Sequence, residues 1–241
     1  MIDPVGCLIS FLLALCLSLT IYKFGLLTRD GCICSFFIGF AIGAFGSVWW
    51  LGLLIVFALS GFAATVIGLS KKREKGLQEG HHGERSFKNI LGVAIPPLVI
   101  AILNIIFPGN EDMFTIAYIS TIAVAAADTC GSELGVKDPN VRLITTLRKV
   151  EPGTDGGISL MGTAVSAMGS IAVSLIGYLF IFKTLDIWVL IPMVCGMIGC
   201  LADSYIGATF ETWGYMNKYS NNCTTGILGG GVAILIFWLL S

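Results

Sequence analysis

Apolar residues run through this chain in long stretches with polar breaks between them, at about 5–21, 31–46, 50–69, 90–107, 113–128, 158–182, 187–206 and 223–240. Helices of these lengths approach or exceed what is needed to cross a hydrocarbon layer of about 30 Å at about 1.5 Å per residue. The pattern predicts an all-α polytopic membrane protein with about eight transmembrane helices, forming a single integral membrane domain over 1–241. Residues 31–70 carry no full charge. One straight helix of that length would reach about 60 Å, so the segment must fold back. Gly46-Ser47, just before Trp49-Trp50, is the natural turn.

The breaks alternate in character. Those at one end are tight turns. Those at the other are longer: 70–89, 129–157 and 207–222. The basic residues follow the same division. Of the 14 Lys and Arg residues, all except Lys183 fall on the side of the long breaks. Loops rich in Lys and Arg stay cytoplasmic, so both termini are expected outside and the three long loops in the cytosol. Trp49, Trp50, Trp188 and Trp238 fall near the opposite, outer ends, as an aromatic belt would, and Trp213 near the inner face.

Composition agrees with a membrane protein. The chain is 56% hydrophobic and 12% charged, with a mean hydropathy of +0.89. The net charge of −1 conceals the asymmetry between the two sides. Topology and anionic headgroups account for the cluster Lys71, Lys72, Arg73 and Lys75. His81-His82 read as part of a solvated loop. The eight cysteines show no spacing of a disulfide framework or a paired metal-binding motif. The first stretch lacks a basic start and a convincing cleavage site, so it is expected to be a helix of the mature protein. Pro96-Pro97 should kink the fourth span.

A weak internal repeat is visible. Asp30-Gly31-Cys32-Ile33-Cys34 resembles Asp155-Gly156-Gly157-Ile158-Ser159, and Ala127-Asp128-Thr129 resembles Ala202-Asp203-Ser204. Helix-hairpin copies would set Asp128 and Asp203 in equivalent places around a shared centre.

These two aspartates carry the sharpest chemistry. Each closes a run of small apolar residues, AVAAAD and GMIGCLAD. Small residues let helices approach closely, and carboxylates at membrane depth are functional candidates. Glu133 follows Asp128 by five residues, about 140° away on an ideal helix. A break at Gly131 would turn both towards one ion. Such carboxylates, with the hydroxyls of Thr129, Ser132 and Ser204, are hard oxygen ligands suited to magnesium, which shares itself with phosphates.

The segment 142–159, RLITTLRKVEPGTDGGIS, is the complement. Arg142, Arg148 and Lys149 are phosphate binders by type. Gly153, Thr154, Asp155, Gly156 and Gly157 then lead into a helix whose N-terminus can receive an anion, or else Thr154 or Asp155 simply caps it. At the start of the last span, Asn217 and Asn221-Asn222 can cap the helix; Asn222 can also touch a nucleotide. Both histidines lie in one loop, so a His-activated nucleophile is unsupported. Nothing points to a nucleic-acid partner.

The motifs ADTCGSELG (127–135), RLITTLRKVEPGTDGGISLMGT (142–163) and ADSYIGA (202–208) resemble the membrane family that includes plant phytyl-phosphate kinase and animal transmembrane protein 19. The resemblance runs from the first span to the last. It implies phosphoryl transfer from a nucleoside triphosphate, CTP favoured, to an isoprenoid or other lipid monophosphate, with Mg2+. It carries over Asp128, Glu133, Arg142, Asp155 and Asp203 as site residues, and adds Asp155 to Asp128, Glu133 and Asp203 as a metal ligand. Cys130-Gly131 and Thr225 depart from its expected pattern and leave the lipid open. Two other readings stand beside it: a CTP-dependent lipid-phosphate cytidylyltransferase, and an ion-coupled transporter built on the same buried aspartates.

Overall fold

The structure is a computed structural model; it describes residues 3–74, 76 and 84–241. The histidine pair 81–82 lies outside the described residues. Among the described residues are eight long α-helices: α1 (Pro4–Lys23), α2 (Arg29–Phe45), α3 (Val48–Glu74), α4 (Phe87–Ile106), α5 (Glu111–Leu134), α6 (Leu160–Phe182), α7 (Leu190–Ile206) and α8 (Lys218–Leu240). Seven of these segments are long and apolar enough to cross a membrane; α2, at 17 residues, is shorter. A two-stranded antiparallel ribbon, β1 (Arg142–Leu143) with β2 (Gly157–Ile158), closes the connection between α5 and α6.

The helix α5 is the axle of the bundle. It packs against α3, α4, α6, α7 and α8, and it is the most buried of the long helices. Its partners meet it through glycines. A Cβ on Gly169 would press on the Ala126 carbonyl at 2.9 Å, one on Gly230 would approach Thr121 at 2.8 Å, and one on Gly196 would lie 3.0 Å from Ala123. With no side chain at these positions, helices can approach to backbone contact, and dispersion supplies the attraction that water cannot supply inside a membrane. On the other flank α4 runs through Pro96 and Pro97, both buried. Gly226 of α8 leaves the room that the Pro96 ring occupies.

The basic connections gather at one end of the bundle. The α1–α2 turn meets the start of α4, with Thr28 N–H bonding the Arg85 carbonyl at 3.1 Å. The end of α3 meets the end of α5 through Lys72 and Glu133. The opposite end is aromatic. Lys183 lies there, its Nζ 3.5 Å from the Trp49 ring centroid.

Trp50 differs from its expected place in an outer belt. It is only 3% exposed and stacks on Tyr118, centroids 4.3 Å apart, while the Tyr118 hydroxyl donates to the Trp50 carbonyl at 2.6 Å. A ring that finds a flat aromatic partner in the core gains more by stacking there than at a headgroup. Trp49, half exposed, and Trp238 keep outward positions.

Candidate active site

The approach of α5 and α7 sets the central pair of carboxyls. Gly199 of α7 lies against Val124 of α5. Asp203 and Asp128 each follow these contacts by four residues, so one helical turn later both point the same way. The two carboxyls face each other closely enough to interact directly. Thr225 of α8 reaches the pair, its hydroxyl 3.4 Å from Asp203 Oδ1. Neither aspartate ends its helix. The chain stays helical to Leu134 beyond Asp128, and through Ile206 into a π-helical turn, Gly207–Glu211, beyond Asp203. The helices outlast the apolar pattern because their later turns still pack on neighbours while one side faces polar space.

That space is a cavity of about 290 Å³ at the basic end of the bundle. Its wall includes the acidic residues Asp128, Asp155, Asp203 and Glu211 and the basic residues Lys72 and Lys218. Ser132, Ser159, Thr163, Ser204 and Asn222 add neutral polar groups. With every group ionised, the acids outnumber the bases, and the excess sits around Asp128 and Asp203.

One rim is the glycine segment. Gly153, Thr154, Asp155, Gly156 and Gly157 all line the cavity. The segment is held by Thr154 N–H to the Glu151 carbonyl at 3.1 Å and Gly157 N–H to the Thr154 carbonyl at 2.9 Å. Gly156 has φ of +74°, and its α-carbon abuts Ala208 and the Ser204 carbonyl. A side chain there would face both left-handed backbone strain and collision with the turn after α7. Thr154 and Asp155 are not caps. Ser159 caps α6, accepting the Gly162 N–H at 3.0 Å. Nearby, Asp138 is held below the usual carboxylate range by the Asn140 N–H.

Three basic residues expected in a phosphate cradle lie elsewhere. Arg142, Arg148 and Lys149 are exposed and do not line the cavity. They belong to the outer strand-and-turn of the ribbon. Arg142 Nη1 donates to the Leu147 carbonyl at 2.8 Å, and Leu143 N–H bonds the Arg148 carbonyl at 2.9 Å. Leu147, with φ of 56°, makes the tight reversal that turns this segment outward.

Glu133 is likewise not on the cavity wall. Gly131 does not break α5; it is a packing glycine that faces Ser166 of α6. The helix therefore carries Glu133 round to α3. There it is 7% exposed, with Lys72 Nζ at 2.9 Å and Arg85 Nη2 at 3.6 Å.

The cations that line the cavity are Lys72 and Lys218, whose charge topology alone would explain. Lys72 lies on α3, which continues to Glu74 instead of ending at the last apolar residue. Lys218 opens α8 just after its cap, Asn217. Glu211 lines the cavity too, outside the three polar motifs. Asn221, 1% exposed, donates from Nδ2 to the Asp203 carbonyl at 3.0 Å and to Glu211 Oε1 at 2.6 Å. Its burial on α8 fixes the acid to the aspartate helix. The signal in the sequence was the dense Asn and Thr cluster at the start of α8.

Among the described residues no three His, Cys, Asp or Glu side chains converge as a metal-binding group. Asp128 and Asp203 are the acidic pair at the centre of the cavity. This donor set fits magnesium, which is held by one or two carboxylates and completes its shell from water and substrate phosphates.

A model of integral membrane proteins, DUF92, matches residues 12–234. The chain belongs to the DUF92 family. A relative from Methanocaldococcus jannaschii, described as an uncharacterized membrane protein, is 39% identical over 233 residues, covering 96% of this chain and 94% of the relative. Another such protein, from Synechocystis, is 30% identical, covering 93% and 87%. The chloroplast protein VTE6 of Arabidopsis thaliana is 28% identical over 218 residues, covering 87% of this chain and 65% of the plant protein. No solved structure matches the chain. The DUF92 match agrees with the family that the three polar motifs resemble.

Proposed function

We propose that this chain transfers the γ-phosphoryl group of a nucleoside triphosphate, CTP for preference, to an isoprenoid or other lipid monophosphate at the cytosolic membrane face. The observation that carries this reading is the cavity in which Asp128 and Asp203 meet, rimmed by the 153–157 glycine segment and flanked by Lys72 and Lys218. The resemblance of the three polar motifs to the family of plant phytyl-phosphate kinase supports a prenyl-phosphate kinase-like activity.

The chemistry asks mainly for positioning and charge neutralisation. Asp128 and Asp203 would hold Mg2+, which supplies charge neutralisation on the phosphates. The glycine segment offers backbone N–H groups to the triphosphate. Lys72 and Lys218 counter the charge that spreads over the phosphoryl oxygens. An oxygen of the acceptor monophosphate bonds to the γ-phosphorus, the bond from that phosphorus to the β–γ bridging oxygen breaks, and the nucleoside diphosphate departs. A dianionic acceptor has no proton to lose, so no general base is required.

Purified protein incubated with Mg2+, CTP or ATP and a panel of isoprenoid monophosphates should yield lipid diphosphate and nucleoside diphosphate, read by mass. A CDP-lipid with pyrophosphate would replace this reading with cytidylyl transfer. No product from any pair, with solute uptake driven by an ion gradient in sealed vesicles, would replace it with ion-coupled transport.

A further inference from the structure

A second cavity, of about 150 Å³, lies between α1, α2, α3 and α4, away from the aspartate cavity. Its walls are almost wholly apolar, among them Leu17, Ile38, Leu54 and Phe57. At the basic end the lining changes to Arg85 and Asn89. Along α3 the walls run from Leu51 to Phe62, about 16 Å of helix at 1.5 Å per residue. Leu51 is only three residues from the start of α3 at Val48, the end away from Lys72, so from its Arg85 end the cleft reaches deep into the apolar layer. A soluble nucleotide has nothing to bind along such walls. A chain with one anionic end has both parts matched.

The charges tie this cleft to the other cavity. Glu133 receives Arg85, which lines the cleft, and Lys72, which lines the aspartate cavity. Two cations share that carboxylate, so the junction keeps positive charge for an arriving anion. Gly61, on the cleft wall, also lies against Thr129, the residue after Asp128.

We propose that this cleft holds the hydrocarbon chain of the phosphate acceptor, with its phosphate at Arg85 and Lys72, directed towards Asp128. The proposal rests on the kinase reading for the acceptor's role but makes a separate claim about where a lipid monophosphate binds.

The test is photolabelling without nucleotide. An isoprenoid monophosphate with a diazirine at the far end of its chain is irradiated with the full-length protein in nanodiscs, and adducts are mapped by mass. Adducts are expected on cleft residues of α1–α4. Unlabelled isoprenoid monophosphate should remove them at least tenfold more effectively than the isoprenoid alcohol or a phosphatidylcholine. Arg85→Gln should abolish that phosphate preference. Should Arg85→Gln fail to fold, Ala58→Phe, which fills the wall from an exposed position, should cut competed labelling at least tenfold. Adducts confined to α6–α8, or equal competition by phosphatidylcholine, would overturn the proposal. Competed cleft labelling without transfer to any acceptor would uphold this site and sink the kinase reading. Transfer with labelling elsewhere would do the reverse.

Discussion

Lys72 Nζ lies 2.9 Å from Glu133 Oε2, joining the end of α3 to the end of α5. Both side chains are largely shielded, at 12% and 9% exposure. Removing one partner from such a pair leaves the other unpaired, at a cost of about 3–5 kcal/mol in a fully buried setting and less here. Lys72→Gln should lower thermal stability measurably and cut phosphoryl transfer at least tenfold. Arg148→Gln with Lys149→Gln, at exposed positions of the ribbon, should change transfer less than threefold. Steady-state rates beside melting curves decide the order; the reverse ranking would return the phosphate contacts to the ribbon.

Asp128→Asn and Asp203→Asn should each abolish transfer while the protein remains folded and inserted. Two facing carboxylates repel, so either change should leave metal-free stability unchanged or raise it. Mg2+ should then stabilise the parent protein but not the variants. Melting curves with magnesium and with chelator read this without any assay of activity. Equal magnesium stabilisation of all three proteins would remove the metal from these residues.

Asn221→Ala would remove the donor to Glu211 Oε1 and leave the Asp203 carbonyl with the Gly207 N–H alone. A lost partner inside the protein costs about 1–3 kcal/mol. The variant should melt earlier and lose maximal rate more than nucleotide affinity, because the network orients Asp203 from behind. A change confined to the nucleotide KM would place Asn221 in nucleotide binding instead.

Gly156→Ala should displace the glycine segment, since the added methyl meets Ala208 and the Ser204 carbonyl at a left-handed backbone position. The nucleotide KM should rise at least tenfold, equivalent to about 1.4 kcal/mol. Gly76→Ala, at a similar left-handed φ of +66° but away from the cavity lining, is the control for backbone strain alone and should leave the KM within twofold.

Orientation is open to direct chemistry. In a cysteine-free background, a cysteine introduced at Glu111 should react with an impermeant maleimide on intact cells, and one at Gly76 only after lysis. The opposite pattern would put the aspartate cavity on the outer side.

The helices were legible because hydrocarbon demands long apolar runs, and each expected stretch corresponds to one helix. The ends were less legible. The end of α3 and the start of α8 carry charge, as at Lys72 and Lys218, yet remain helical because each packs on a neighbour. Asp128 and Asp203 stood out because small residues precede them. Whether Glu133 joined them depended on Gly131, and a glycine that breaks a helix looks like one that admits a neighbour until Ser166 is seen beside it. Arg142, Arg148 and Lys149 had the right charge, but the reversal at Leu147 that turns them outward depends on ribbon hydrogen bonds invisible in the sequence.

The glycines that seat α6, α7 and α8 on α5 also fix where the molecule yields. Contacts this close, on short side chains and backbone, leave little to repack, so that half should resist deformation. The helix α1 rests chiefly on α2, and only 11% of its apolar window is buried. Sideways parting therefore costs least at this flank. A membrane-borne molecule reaching the interior would enter from within the bilayer plane past α1, while water-borne compounds meet the rigid half end-on.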